Sequence, residues 1–171
     1  MPENTSVKAV SFVAKSGTGK TTLVAQVIRE LSSRGYRVGA YKASQHFDID
    51  QPGKDSYRMT EAGAVLTMIN SPGKLALIQS EPTKLDIEAL LLRYFSEVDI
   101  VLVEGDKWGP LPKIEVCRCQ KKETLLCRES VVSSYVAIAS DCSIDVADLD
   151  LPVLDLSSPL QVADFIVATF L

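Results

Sequence analysis

Residues 14–22 read Ala-Lys-Ser-Gly-Thr-Gly-Lys-Thr-Thr and follow an apolar run, Val10 to Val13. This is a phosphate-binding loop, G-x-x-x-x-G-K-[ST], complete except at its first position. Small residues at Ser16, Gly17 and Gly19 let the main chain wrap closely around an anion, with its N–H groups turned inward. The helix that opens near Lys20 adds free N–H groups and the positive end of its dipole. Lys20 would reach the β- and γ-phosphates as a point charge, and the Thr21 hydroxyl would sit on Mg²⁺. Ser16, Gly17, Thr18, Gly19, Lys20, Thr21 and Thr22 are therefore candidate phosphate-binding residues. The implied ligand is a nucleoside triphosphate with Mg²⁺. Ala14 stands where the pattern asks for Gly, at a position whose dihedral Ala often adopts only with strain. The plainer alternative is a Gly-rich turn before an ordinary helix; the placement of Gly-Lys-Thr-Thr where strand meets helix argues against it.

Other groups could complete the site. Glu104 ends the buried run Asp99-Ile-Val-Leu-Val-Glu104-Gly105, which resembles a Walker B strand. A carboxylate at the carboxyl end of such a strand can hold Mg²⁺, and Gly105 leaves room for a ligand. Glu104 and Thr21 are thus the metal candidates; a solvated loop carboxylate is the alternative for Glu104. Asp99, at the other end, reads as structural. Asp50, Lys54 and Asp55 cluster on a long polar loop, where a carboxylate could bind metal or orient water and Lys54 could meet phosphate. A solvated turn shaped by Pro52-Gly53 explains them equally well. Lys15 resembles the early lysine of the deviant Walker A loop, which reaches across a dimer to the partner's nucleotide; a solvent-exposed lysine is the simpler reading. Asp141 could accept from guanine N1–H and N2–H, or be a turn residue. His46, the only histidine, reads as a surface residue.

Those groups need a scaffold. The chain has 171 residues, 46% apolar and 23% charged, with a net charge of −4. One soluble domain over residues 1–171 is expected. The charge gives no broad basic surface for nucleic acid. No apolar run reaches the length of a membrane span, and the N-terminus lacks a secretory signal pattern, so a cytoplasmic protein is expected. Cys117, Cys119, Cys127 and Cys142 read as reduced thiols packed as small apolar groups; the alternative, a metal site, would need a better pair of CxxC-type knuckles. Cys117 and Cys119, two apart, would share a face of one strand.

The patterning alternates strand and helix. Lys8–Ala14 reads as a buried strand, 21–34 as an amphipathic helix stopped by Gly35, and 36–42 as a second strand. Residues 43–56 form a loop, after which Asp55 or Ser56 caps a short helix ended by Gly63. Strands at 64–69 and 74–79 flank a Ser-Pro-Gly turn. A helix over 83–96 is expected, with Thr83 as cap and Asp86 in a capping-box position. Strands at 99–103, 113–119, 135–139 and 153–156 follow, then a helix opened by Ser158-Pro159. This predicts an α/β fold of the P-loop NTPase type, with a mostly parallel sheet and helices on both faces. Its ligand would sit beyond the carboxyl ends of the strands.

Four blocks in order complete a family pattern: Ser16–Thr22; Asp50-x-Pro-Gly-Lys54-Asp55-Ser56 with Ala62-Gly63-Ala64; Val101-Leu-Val-Glu104-Gly105-x-Lys107; and Pro112-Lys113-Ile114-Glu115-Val116. Together they resemble the MobB family, molybdopterin-guanine dinucleotide biosynthesis protein B. The resemblance runs from about residue 8 to residue 118. It implies GTP binding with Mg²⁺, weak turnover at most, and a homodimer often built by sheet exchange. It also implies a role beside the guanylyltransferase MobA, which joins GMP to molybdopterin. By position, Ser16–Thr22 bind phosphate, Asp50, Lys54, Asp55 and Ser56 line the loop facing it, and Glu104 and Lys107 sit at the metal and phosphate end. Asp50, Asp55 and Glu104 are then the candidate catalytic carboxylates. The chain departs from the family at Lys42-Ala-Ser-Gln-His46, where a His-rich stretch is usual, and at Asp106, where an aromatic is usual. The alternative function is a P-loop small-molecule kinase using ATP or GTP. That reading wants an arginine-bearing lid, and Arg58, Arg93, Arg118 and Arg128 are scattered.

Overall fold

The structure, a computed structural model, describes residues 6–44, 47, 49–80, 86–121, 124–129 and 134–171. His46 and Thr83, singled out above, lie outside the described residues. Two compact units emerge: Met1–Ala43 with Ile87–Leu171, and Ser44–Asp86.

The first unit is built on a six-stranded, all-parallel sheet. Its strands are β1 (Ala9–Val13), β2 (Val38–Lys42), β5 (Ile100–Glu104), β6 (Lys113–Cys117), β7 (Tyr135–Ser140) and β8 (Val153–Asp155), in spatial order β2-β5-β1-β6-β7-β8. Helices α1 (Lys20–Ser33) and α5 (Pro159–Phe170) pack on one face, where Val10, Phe12, Leu102, Ile114 and Val27 form the larger core. Helix α3 (Ile87–Tyr94) covers the other face, where Ala9, Val101 and Val103 meet Leu91. Alternate residues of β1 and β5 therefore feed opposite cores, which is why both strands read as unbroken apolar runs. This is the expected P-loop NTPase-type α/β fold. Asp99 is structural as expected: its carboxylate accepts from the Arg37 amide at 2.6 Å, tying the start of β5 to that of β2. Ser158 caps α5 by accepting from the Gln161 amide.

The second unit holds α2 (Asp55–Glu61) and an antiparallel hairpin, β3 (Leu66–Ser71) with β4 (Lys74–Gln79). The hairpin turns at Gly73, with φ +78°. The cap of α2 is Lys54 rather than Asp55 or Ser56; Asp55 instead lies in the first turn, where its charge suits the helix dipole.

Three other expectations change. The helix over 83–96 is described only from Ile87, and it ends at Tyr94. A short helix α4 (Leu126–Glu129) was not foreseen; it has too few residues to show a period. The four cysteines do not all stand as separate thiols. Cys119 pairs sulfur to sulfur with Cys142, Cα atoms 6.2 Å apart, while Cys117 and Cys127 are free. Strand β6 ends at Cys117, so Cys119 leaves the strand and enters a 3₁₀ turn (Cys119–Lys121) instead of sharing a strand face with Cys117. Among the described residues, no helix is long and apolar enough to cross a membrane.

Candidate phosphate-binding site

Strand β1 delivers the chain to the carboxyl edge of the sheet between β5 and β6. The loop that follows uses Gly17 and Gly19 at φ +72° and +83°, a region costly for any side chain. Ala14 is buried, and the positive-φ residues other than glycine are Asp106 and Asp150 among those described. The turn out of β1 thus asks no glycine dihedral of Ala14, and the departure from the usual pattern carries no strain. Gly19 is the N-cap of α1; it offers no capping side chain, and the first turn holds no acidic residue. The positive end of the helix is left uncompensated from within the helix, the arrangement that receives an anion.

Glu104 sits at the centre of the charged groups. Register places it beside both Phe12 of β1 and Lys42 of β2. One of its oxygens, Oε1, accepts from Thr21 Oγ1 at 2.8 Å and lies 3.8 Å from Lys20 Nζ and 4.0 Å from Lys42 Nζ. Its side chain is 16% exposed, so the solvated-loop alternative does not describe it. Thr21 and Glu104 offer hard oxygen donors side by side, a set that fits Mg²⁺. The room at Gly105 is used differently from expectation. A Cβ there, at φ +102°, would come within 3.1 Å of the Ala43 carbonyl oxygen, so the glycine admits the exit of β2 rather than a ligand. Lys107 follows on the same loop, half-buried. Between them Asp106 adopts φ +58°, and one of its carboxylate oxygens is buried without a partner. Burial pushes up the Tyr41 phenol, and the Asp106 charge adds to the effect.

The outer side of the loop is held by cations. Arg118 Nε donates to the Thr18 carbonyl at 2.7 Å, and Lys121 Nζ donates to the Ser16 carbonyl. With two of the loop's carbonyls held by these cations, its amides are the groups an anion would use. Asp141 completes this brace: one oxygen accepts from the Cys119 amide at 2.9 Å and the other from Arg118 Nη1 at 3.1 Å. The amide bond, then the Arg118 pairing, lowers the Asp141 carboxyl below its ordinary value. Lys15 is partly exposed, in keeping with the simpler reading, but it is not idle. It pairs with Glu129 of α4 at 2.8 Å. Helix α4 is itself capped by buried Glu115, which accepts from the amides of Leu126 and Cys127.

The loop candidates gather within the second unit. Asp50 accepts from the Gln51 amide at 2.8 Å and from Ser56 Oγ at 3.2 Å, and its other oxygen is buried and unpartnered. Lys54 and Asp55 line the same concave surface as Asp50 and Ser56, with Met59 and Met68. Asp50 is half-buried, not the fully solvated turn residue of the simpler alternative. Sequence reasoning missed Lys42, Arg118 and Lys121. Lys42 could have been found from its place at the carboxyl end of a strand; Arg118 and Lys121 act on main-chain carbonyls, which leave no motif.

The comparisons with known proteins agree with this geometry. The family model of molybdopterin guanine dinucleotide synthesis protein B, MobB, matches residues 9–141. A molybdopterin-guanine dinucleotide biosynthesis adapter protein of Escherichia coli (strain K12) is 37% identical, over 98% of this chain and 95% of its own length. One of Haemophilus influenzae (strain ATCC 51907 / DSM 11121 / KW20 / Rd) is 33% identical, over 95% of this chain and 89% of its own. A crystal structure of molybdopterin-guanine biosynthesis protein B superposes with a TM-score of 0.76 at 25% identity, covering 94% of this chain and 98% of that one. The phosphate-loop, Glu104 and Lys113–Val116 blocks thus sit in a chain that matches the family model through most of its length and two relatives nearly end to end: it belongs to the MobB family.

Proposed function

We propose that this chain is a GTP-binding adapter in molybdenum-cofactor biosynthesis, working beside a MobA-like guanylyltransferase that joins GMP to molybdopterin. The observation that carries the nucleotide part is the group of Lys20, Thr21 and Lys42 around Glu104 at the uncapped start of α1. The adapter part rests on the names of the relatives.

The chemistry follows from these positions. A triphosphate at the loop would draw Lys20 away from Glu104 toward its β- and γ-oxygens. The main-chain amides from Ser16 to Thr22 and the dipole of α1 would hold the phosphates. Thr21 Oγ1 and Glu104 would hold Mg²⁺, which when bound neutralises phosphate charge. Arg118 and Lys121 would keep the loop open from behind. Arg118 is tied to Thr18 and Asp141, so it serves as a brace rather than a kinase lid, which favours binding over phosphoryl transfer to a small molecule. Roles for Asp50, Lys54, Asp55, Ser56 and Lys107 toward the nucleotide, and weak turnover, rest on the family pattern alone. The homodimer draws support from the β3–β4 hairpin. A two-stranded ribbon that exposes Met68 (59%) and Leu75 (64%) is marginal alone and suited to pairing with a second copy.

Calorimetric titration with Mg²⁺ present tests the reading. GTP should bind more tightly than ATP; equal or tighter ATP binding would turn the assignment toward the kinase. Pull-down of a MobA-like enzyme at micromolar concentration tests the adapter role independently of the nucleotide.

A further inference from the structure

We propose that Cys119 and Cys142 are a thiol–disulfide pair that exchanges with low-molecular-weight disulfides and thereby sets how firmly the phosphate loop is braced. The topology builds this pair. Strands β6 and β7 run parallel with Cys117 opposite Ser140. The same register carries past the strand ends: Arg118 pairs with Asp141 at 3.1 Å, and Cys119 is joined to Cys142 with Cα atoms 6.2 Å apart. That separation lies in the range a disulfide spans. Cys119 is exposed and Cys142 partly so, which gives a small disulfide access.

The neighbours give the bond a consequence. Cys119 follows Arg118, whose guanidinium donates to Thr18 of the phosphate loop, and it opens the 3₁₀ turn that ends in Lys121, which donates to Ser16. Cys142 follows Asp141, which holds both Arg118 and the Cys119 amide. The covalent bond therefore fixes the segment that carries both bracing cations against the end of β7. Without it, the strand exits keep the Arg118–Asp141 pair and the bond from the Cys119 amide to Asp141, neither of them covalent.

A metal site is the rival for the same atoms, since Cys119, Asp141 and Cys142 offer ligand atoms within 4.8 Å of one another. It fits less well. Both Asp141 oxygens already hold protein donors, and the cluster supplies three ligands where a closed zinc site takes four.

The exchange balances. The Cys119 thiolate attacks one sulfur of a small disulfide RSSR, forming a mixed disulfide and expelling RS⁻. The Cys142 thiolate attacks the Cys119 sulfur and expels the second RS⁻. Two electrons pass from the protein to the small disulfide, which leaves as two thiols after protonation.

The test equilibrates the whole chain in buffers of reduced and oxidised glutathione, traps thiols with a mass tag, and measures amide exchange across Ser16–Thr22 and GTP affinity in each state. The nucleotide arm rests on the proposed GTP binding; the thiol and amide-exchange arms do not. Oxidation should remove the Cys119 and Cys142 thiols together, leave Cys117 and Cys127 free, and slow exchange in the loop. Oxidised protein should bind GTP roughly fivefold more tightly than reduced, and GTP should make the bond harder to reduce by the same factor. Cys142→Ser, or Cys119→Ser if the first folds poorly, should stop at a mixed disulfide with glutathione in oxidising buffers and keep the loop exchange and GTP affinity of the reduced protein. Loop exchange that responds while GTP binds neither form would support the brace and remove the nucleotide assignment. Both thiols surviving excess oxidised glutathione, zinc held by both in the native chain, or a bond that forms without changing loop exchange would each overturn the proposal.

Discussion

The sheet unit and the hairpin unit of this chain solve the problem of burial in opposite ways. In the first, Val10, Phe12, Val13, Val101, Leu102 and Ile114 are fully buried, and helices cover both faces of the sheet. In the second, Thr67 is the one buried residue among those described, while Met59, Leu66, Met68 and Leu75 are exposed. A site proposed to hold phosphate oxygens in fixed positions belongs on the first kind of support. A ribbon that keeps its apolar side chains outside is the second kind, a surface suited to the proposed pairing with a second copy. Under the proposed function the difference divides the work: nucleotide binding at the carboxyl edge of the sheet, pairing with a second copy at the hairpin.

The largest effect should come from breaking the first unit's core. Phe12→Ala removes a fully buried ring at the centre of the sheet and should cost about 4 kcal/mol of folding stability in denaturant melts. Leu75→Asp, at a residue 64% exposed, should change monomer stability by no more than about 0.5 kcal/mol. It should instead shift the sedimenting species from dimer to monomer. Equal stability losses for the two would erase the contrast, and an unchanged sedimentation coefficient for Leu75→Asp would remove the hairpin from the interface.

Next is Lys20→Ala, which should weaken GTP binding by at least about 100-fold while circular dichroism stays native. Unchanged affinity would detach the sheet edge from the ligand altogether. Glu104→Gln should act more mildly and more specifically. It keeps an acceptor for Thr21 but removes the charge, so the Mg²⁺ dependence of GTP binding should flatten by roughly tenfold. A metal titration identical to that of the unaltered protein would leave Glu104 as an anchor for Lys20 and nothing more.

These contrasts also explain how much could be read from the sequence. Strands buried on both faces write themselves as apolar runs, so β1 and β5 were legible to within a residue or so, and the glycine-rich turn from β1 into α1 with them. Glu104 was legible because a strand end is a fixed place in an α/β sheet. What stayed hidden depends on neighbours that only the sheet order supplies. Cys119 and Cys142 are 23 positions apart, and nothing in their spacing says that β6 and β7 lie side by side. Arg118 looked scattered because its partners are a carbonyl in one loop and a carboxylate in another. Gly105 was read correctly as a place of close approach, but the approaching atom is the chain's own Ala43 carbonyl.

The smallest effect sharpens the contrast at a single thiol. Cys127, on α4, has its thiol pushed up to about 12, first by burial and then by the Glu115 carboxylate. The folded state therefore disfavours the thiolate relative to the unfolded chain, whose thiol ionises near its ordinary value of 9.0. This contribution to stability is complete below that value and is lost as pH rises from about 9 toward 12. Native Cys127 should accordingly alkylate far more slowly than the same thiol in denaturant at pH 9, with the two rates converging as the pH climbs. Glu115→Gln removes the nearby negative charge but not the burial, so it should lower the pH of half-reaction only part of the way to the denatured value. Native and denatured rates that coincide at pH 9 would show that this side of the first unit opens to solvent as readily as the hairpin, and the division of labour between rigid edge and exposed ribbon would fail there.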